Sequence, residues 1–280
     1  MARQGTDPGS EDLTRKQRRE QARAQRRALE EAEAAKAVRR RRLIQLGGAL
    51  VVVVAIIVAI LLATGSGKKG PTSTTANEAL NSNRSSIAEV TTLLNGIHQS
   101  GNTLGSPTAP FTLQYFGDLE CPICREFTLS TLPTVIARYV RTGKLKIEYR
   151  SLETATREPE TFRTQQVAAM AAGKQNLMWH FVELFYHEQG QEDSGYVTES
   201  YLEGLAKQVP GLDLSRWHTD RADPALAEQV NTDAQAASAN GFTGTPSFLL
   251  GPSGGKAEVF SPPSFSEPTA FTSALEKVVH

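Results

Sequence analysis

The sequence predicts an α/β fold with a helical insertion, carried behind one membrane span and a basic segment. Three observations lead there. A strand, a helix and a second strand follow one another between residues 111 and 150. Strand character then disappears over about 158–240 and returns at 247–260. Upstream, an uncharged apolar run occupies 43–63.

Residues 1–42 hold thirteen Lys/Arg against seven Asp/Glu, so this segment carries a net +6 and the remainder −6 within a chain of zero net charge. Arg, Glu, Ala and Gln dominate 11–42, a composition that favours helix. No aromatic side chain is interleaved, so the basic stretch reads as a cytoplasmic juxtamembrane segment touching anionic headgroups, and not as a nucleic-acid binder. The run 43–63 has 21 residues, and at ~1.5 Å per residue it spans a hydrocarbon core of ~30 Å. A cleaved signal peptide fits less well, because the preceding segment is long and no small-x-small site follows. Arg39 to Arg42 precede the span and only Lys68 and Lys69 closely follow it. The positive-inside bias therefore places the N-terminus in the cytoplasm and the chain after residue 63 outside, a single-pass arrangement in the cell membrane.

After a Gly/Ser/Thr linker at 64–76, apolar residues at Leu80, Ile87, Val90, Leu93, Leu94 and Ile97 predict an amphipathic helix over 77–98, the start of a domain over 77–280. Gly101, Gly105, Pro107 and Pro110 predict a loop or hairpin. Phe111 to Phe116 reads as a strand. Leu129, Leu132, Val135, Ile136, Tyr139 and Val140 mark the buried face of a helix over 121–140, with a kink expected at Pro133. Residues 144–150 form the next strand, so the unit is a parallel, right-handed βαβ. The block 158–240 reads as packed helices, followed by strands at 247–250 and 258–260 and a last helix from about 267 to 279.

The chain has two cysteines, Cys121 and Cys124, in Cys-Pro-Ile-Cys. A thiolate at a helix N-terminus is favoured by backbone N–H groups and the helix dipole, and Pro122 suits the first helical turn. Cys121 is therefore the expected attacking sulfur, and Cys124, one turn further in and more buried, the resolving one. A structural disulfide would constrain little over so short a loop, and a zinc site lacks further Cys ligands. His180 and His187, two turns apart on an expected helix, are assigned to packing or solvent contact. No nucleotide fingerprint, metal cluster or other cofactor site is evident.

The stretch from Phe116 to Cys124 (FGDLECPIC), the helical block between two halves of a sheet, and Gly244-Thr245-Pro246 resemble the DsbA-like branch of the thioredoxin superfamily. The resemblance covers about 100–280 and implies a thioredoxin-like fold and thiol–disulfide exchange with protein substrates. It implies further that Pro246 is cis and faces the cysteines, that Thr245 offers backbone hydrogen bonds to an extended substrate, and that Phe116, Pro122 and Ile123 belong to the same motif. A membrane redox partner of the DsbB or VKOR type is implied in the same way. Two positions depart from the best-known pattern. Ile123 stands where the strongest oxidants carry His, and Tyr115 stands where many relatives carry a buried Glu six residues before the first Cys. Both weigh against a strongly oxidising potential. Asp118 and Glu120 are expected in a solvated loop or as a helix cap. Disulfide reductase, isomerase and non-enzymatic peptide-binding module remain the alternatives.

Overall fold

The computed structural model describes residues 74–279, with side chains from Arg84 onward. The basic segment 1–42, the span 43–63 and most of the linker lie outside the described residues. Among the described residues no helix is long and apolar enough to cross a membrane. The first helix, α1, is Thr74–Leu94, so Thr74 to Ala76 are helical rather than linker. It stops four residues short of His98. Gly96 turns the chain there at φ +72°, a left-handed conformation that glycine adopts without penalty.

The hairpin expected at the glycines is β1 (Gln99–Ser100) and β2 (Thr103–Leu104) around Gly101-Asn102. β3 is Phe111–Gly117 and β4 is Leu145–Ser151. They pair in parallel with Tyr115 beside Tyr149, as the βαβ reading requires. β5 (Ser247–Pro252) runs antiparallel to β3 on its other side, and β6 (Glu258–Val259) completes the sheet in the order β1-β2-β4-β3-β5-β6. β3 is thus central, and its C-terminal end delivers the cysteine loop.

The helical run after β3 is not a simply kinked α-helix. It consists of α2 (Pro122–Glu126), a π segment Phe127–Thr131, α3 (Leu132–Val135) and a second π segment Ile136–Val140. Proline cannot donate to the carbonyl four residues back and its ring crowds that position. The wider winding just before Pro133 absorbs the conflict, with the Leu132 N–H bonding Phe127 O five residues back.

Five helices fill the block between the sheet halves: α4 (Pro159–Gly173), α5 (Met178–His187), α6 (Glu199–Gln208), α7 (Leu214–Arg221) and α8 (Pro224–Ala239). α9 (Pro268–Leu275) closes the chain, shorter than the 267–279 expected. Tyr115, Phe127, Phe248 and Phe271 interlock with ring centroids 5.0 to 5.4 Å apart and join the sheet to the helices on one face. On α8, the buried Asp233 accepts from Arg150 Nη1 at 3.0 Å, the Ser151 N–H at 2.9 Å and Gln229 Nε2 at 2.9 Å, fastening that helix to β4.

Helix α5 is buried almost throughout. Trp179, Phe181, Val182, Leu184, Phe185 and Tyr186 are all inaccessible, each contributing about 1.5–3 kcal/mol. His180 is half-buried and meets Gln99 Nε2 through Nδ1 at 3.1 Å, and His187 is half-buried too, in keeping with the packing roles expected. The same helix holds Glu183, fully buried, with neither carboxyl oxygen hydrogen-bonded. Burial pushes its pKa from 4.5 to about 8. The fold therefore keeps it protonated where the unfolded chain ionises it. Its contribution is complete below pH 4.5 and is lost as pH rises to about 8. Glu183→Gln is predicted to gain stability over the parent by roughly 1.4 kcal/mol per pH unit across that window. Urea titrations at pH 5 and pH 8 measure it, and an equal difference at both values would refute the assignment.

Candidate active site

Cys121 and Cys124 sit where the central strand hands over to helix α2. Cys121 is the N-cap of that helix, at φ −70° and ψ 120°. Its Sγ accepts from the Cys124 N–H at 3.5 Å, while its own thiol donates to the Thr245 carbonyl at 3.4 Å. Pro122 occupies the first turn, where its missing N–H costs nothing. Ile123 projects outward, 43 % exposed beside a Cys121 that is only 5 % exposed, while Cys124 is wholly buried.

The two thiols differ in charge preference. The Cys121 pKa falls from 9.0 to about 6. A hydrogen bond from the Cys124 thiol is the largest cause. Burial opposes it, and the Thr245 side chain and the N–H groups of Cys124 and Ile123 add to the lowering. The Cys124 pKa is raised well above that of an ordinary thiol, by burial first and by its hydrogen bond to Cys121 second. Without a His between the cysteines, Cys121 is thus held by its partner thiol, the neighbouring threonine and the helix start.

The loop leading into Cys121 corrects the expectation for its acids. Asp118 and Glu120 are both buried, at 0 % and 3 % exposure. Asp118 is not a helix cap. Its Oδ1 accepts from the Glu120 N–H at 3.1 Å and from Thr156 Oγ1 at 2.6 Å. Its Oδ2 accepts from the N–H groups of Thr154, Ala155 and Thr156 at 3.0, 2.8 and 2.9 Å. Five donors on one carboxylate repay its burial and bind the β4–α4 connection to the cysteine loop. Burial pushes the Glu120 carboxyl up, partly offset by a hydrogen bond from Thr156.

Thr154, so held, bonds Oγ1 to Oγ1 with Thr245 at 2.6 Å. The Thr245–Pro246 peptide bond is cis, and the Thr245 carbonyl meets Cys121, so two stretches 124 residues apart in sequence form one surface. Phe116 is fully buried and edge-on to Phe242 at 5.2 Å, in a small core cluster with Leu152, Ala237 and Leu249, so it is not open to a ligand. Sequence reasoning missed three supports. Gln189 Nε2 donates to the carbonyls of Leu119 at 2.7 Å and Cys121 at 3.1 Å. Tyr186 donates its hydroxyl to Asp118 O at 3.1 Å, and Arg125 Nε donates to Tyr186 O at 2.9 Å. No local pattern marks Thr154 or Gln189; only the fold brings them here.

Among the described residues, no group of three or more His, Cys, Asp or Glu is placed to hold a metal. The five-donor cage yields a direct prediction. Asp118→Asn removes the charge and turns an amide toward N–H donors, which should cost about 2–4 kcal/mol and loosen residues 154–156. Chemical denaturation and amide exchange at Thr154 to Thr156 measure it; an unchanged midpoint would sink it.

Comparison with known proteins agrees with this architecture. A thioredoxin family model (Thioredoxin_4) matches residues 98–256. The probable disulfide bond formation protein D of Bacillus anthracis is 24 % identical over 154 residues, covering 55 % of this chain and 70 % of the relative. The crystal structure of oxidised BdbD from Bacillus subtilis superposes with a TM-score of 0.54 at 21 % identity, over 64 % of this chain and 95 % of that one. That of α-DsbA1 from Wolbachia pipientis gives 0.53 at 18 % identity, over 66 % and 92 %. With the sheet order, the helical insertion and the Cys-x-x-Cys at the start of the helix after the central strand, these findings mean that the chain belongs to the thioredoxin family, in its DsbA-like, thiol–disulfide oxidoreductase branch.

Proposed function

We propose that this chain is a membrane-anchored, extracytoplasmic protein thiol–disulfide oxidoreductase that donates disulfides through Cys121 and Cys124. The observation that carries the reading is the split between the two thiols: an accessible-side sulfur with a pKa of about 6 and a buried one raised well above the ordinary value. A low-pKa sulfur is a good leaving group and a poor competitor for protons, so its reduced form is stabilised. Each pKa unit below an ordinary thiol is worth up to about 1.4 kcal/mol, or about 30 mV toward an oxidising couple. The relatives named as disulfide bond formation proteins favour the same direction.

In this direction the Cys121–Cys124 disulfide is the starting state. A substrate thiolate attacks Cys121 Sγ, the bond to Cys124 breaks, and Cys124 leaves with the electron pair and takes up a proton. A second substrate thiolate then attacks the substrate sulfur of the mixed disulfide and releases Cys121 as its thiolate. The cis-Pro246 loop, with the exposed Ile123 beside it, supplies the platform on which an extended peptide lies. The run 43–63 anchors the domain outside the membrane, and a membrane protein of the DsbB or VKOR type reoxidises it.

Two measurements test this. Alkylation of the reduced protein by iodoacetamide should follow a single ionisation with a midpoint near pH 6, at Cys121 alone. A midpoint near 9 would remove the basis for the oxidising direction. Cys124→Ala should accumulate mixed disulfides with thiol-bearing proteins, and Cys121→Ser should abolish exchange. If the parent exchanges no disulfide and Cys124→Ala traps no partner, the domain is a peptide-binding module and not an enzyme.

A further inference from the structure

Thr154 is exposed and lies three residues beyond the end of β4, yet it links a buried carboxylate to Cys121. Its N–H donates to Asp118 Oδ2 at 3.0 Å, so the backbone at 154 is fixed by the donor cage of Asp118. Its Oγ1 lies 2.6 Å from Thr245 Oγ1. The Thr245 carbonyl in turn accepts from the Cys121 thiol at 3.4 Å. Nearby, Ser247 donates its hydroxyl to the Gly244 carbonyl at 2.6 Å, which fastens the turn around Thr245 without using the Thr245 hydroxyl. Thr154 Oγ1 is the oxygen against which that hydroxyl is set.

Only one proton fits between two hydroxyl oxygens this close, and each threonine has one to give. Which of the two gives it depends on the state of Cys121. As a thiol, Cys121 is itself a donor, and the Thr245 carbonyl takes its hydrogen bond. As a thiolate, the sulfur has nothing to give that carbonyl and becomes the strongest acceptor nearby. The Cys124 N–H reaches it from the helix start at 3.5 Å, and the Thr245 side chain is a further donor to it. A hydrogen bond to a charged acceptor is about twice as strong as one between neutral groups, so the Thr245 proton turns to the sulfur. Thr245 Oγ1 is then left as an acceptor toward Thr154, 2.6 Å away, and Thr154 has a proton to fill it. Donation into that oxygen makes the Thr245 hydroxyl a better donor in its turn, because hydrogen bonds in series polarise one another.

We propose that Thr154 is a positioning residue for the exchange reaction: its hydroxyl donates to Thr245 and so turns the Thr245 hydroxyl onto Cys121 Sγ when that sulfur is charged. The inference rests on the exchange mechanism proposed above, in which Cys121 is released as the thiolate. Thr154 touches no reacting atom. It acts through Thr245, and only in the reduced protein. In the disulfide the sulfur is a weak acceptor, and it makes no difference to the chemistry which hydroxyl donates to the other. The pair thus favours the reduced protein over the oxidised one, in the direction of disulfide donation. The ionisable groups at the same place are Cys124 in the helix start and Asp118, Glu120 and Glu153 in the two loops that meet there. All four stay as they are when the Thr154 hydroxyl is removed.

Thr154→Val removes the hydroxyl while keeping the branched shape and the N–H that Asp118 holds. Two readings test it. One is the pH dependence of iodoacetamide alkylation at Cys121 in the reduced protein. The other is the equilibrium at pH 8 in which the protein disulfide and two glutathione thiols give the dithiol and glutathione disulfide. Thr154→Val should raise the alkylation midpoint by about 0.4–1 pH unit, the effect of one ordinary hydrogen bond, and shift the equilibrium roughly 2.5- to 10-fold toward the oxidised protein. Thr154→Ser, which keeps the hydroxyl, should return both to the parent values. In a Thr245→Val background no hydroxyl remains to be turned, and Thr154→Val should add nothing. An unchanged midpoint and equilibrium in Thr154→Val would overturn the proposal while the exchange mechanism stands. A shift of full size in the Thr245→Val background would overturn it too, since Thr154 would then act by another route. A midpoint near 9 in the parent would instead remove the proposed function, and this inference with it.

Discussion

The Asp118 carboxylate is the constraint on which the rest of the site depends. A bare carboxylate in a protein interior is costly, and it persists here because five donors converge on it from its own loop and from residues 36 to 38 further along. Its partners are the first residues beyond the central parallel strands. Once they are pinned, Thr154 reaches Thr245, and the cis-proline stretch is held against the cysteine loop. The helical insertion adds a second fastening through Tyr186 and Gln189, which grip main-chain carbonyls of the same loop. Cys121 Sγ therefore sits at the junction of three separate chain segments, none of which would position it alone.

Ordinary chemistry then separates the two thiols. They are three residues apart in one helical turn, yet one projects into the helix start and the other into an aromatic core. Local donors favour charge on the first; loss of water disfavours it on the second. No basic side chain between them is required. The position filled by Ile123 instead offers an exposed apolar surface beside the reactive atom, suited to contact with a partner more than to tuning it.

Much of this was legible in the sequence where the signal is local. The strand-like run Phe111–Phe116 and the alternation in 144–150, separated by one helical pattern, were enough to infer the parallel pair, and the order of strand, Pro122 and helix was enough to put Cys121 at a helix start. The low aromatic content and high charge of the insertion's exposed positions did not hide its helices. Nonlocal facts were not legible. Asp118 and Glu120 look like loop residues among their sequence neighbours, and only the approach of Thr154 to Thr156 turns the loop into an interior. Pro133 announced a disturbance, but whether a helix answers by bending or by winding wider depends on what packs on it. Here Phe127, Leu132, Val135 and Ile136 are all wholly buried, and the wider turns keep them so.

The cap of helix α2 has one more consequence. The atom that accepts the N–H of Cys124 is the reactive sulfur itself. As a thiolate it is a strong acceptor; bonded to another sulfur it is a weak one. A change in the charge or bonding of Cys121 Sγ therefore strengthens or weakens the first turn of its own helix. The first turn of the helix and the chemistry of its leading sulfur therefore share one atom, so whatever changes the electron density on that sulfur also changes the cap of the helix behind it.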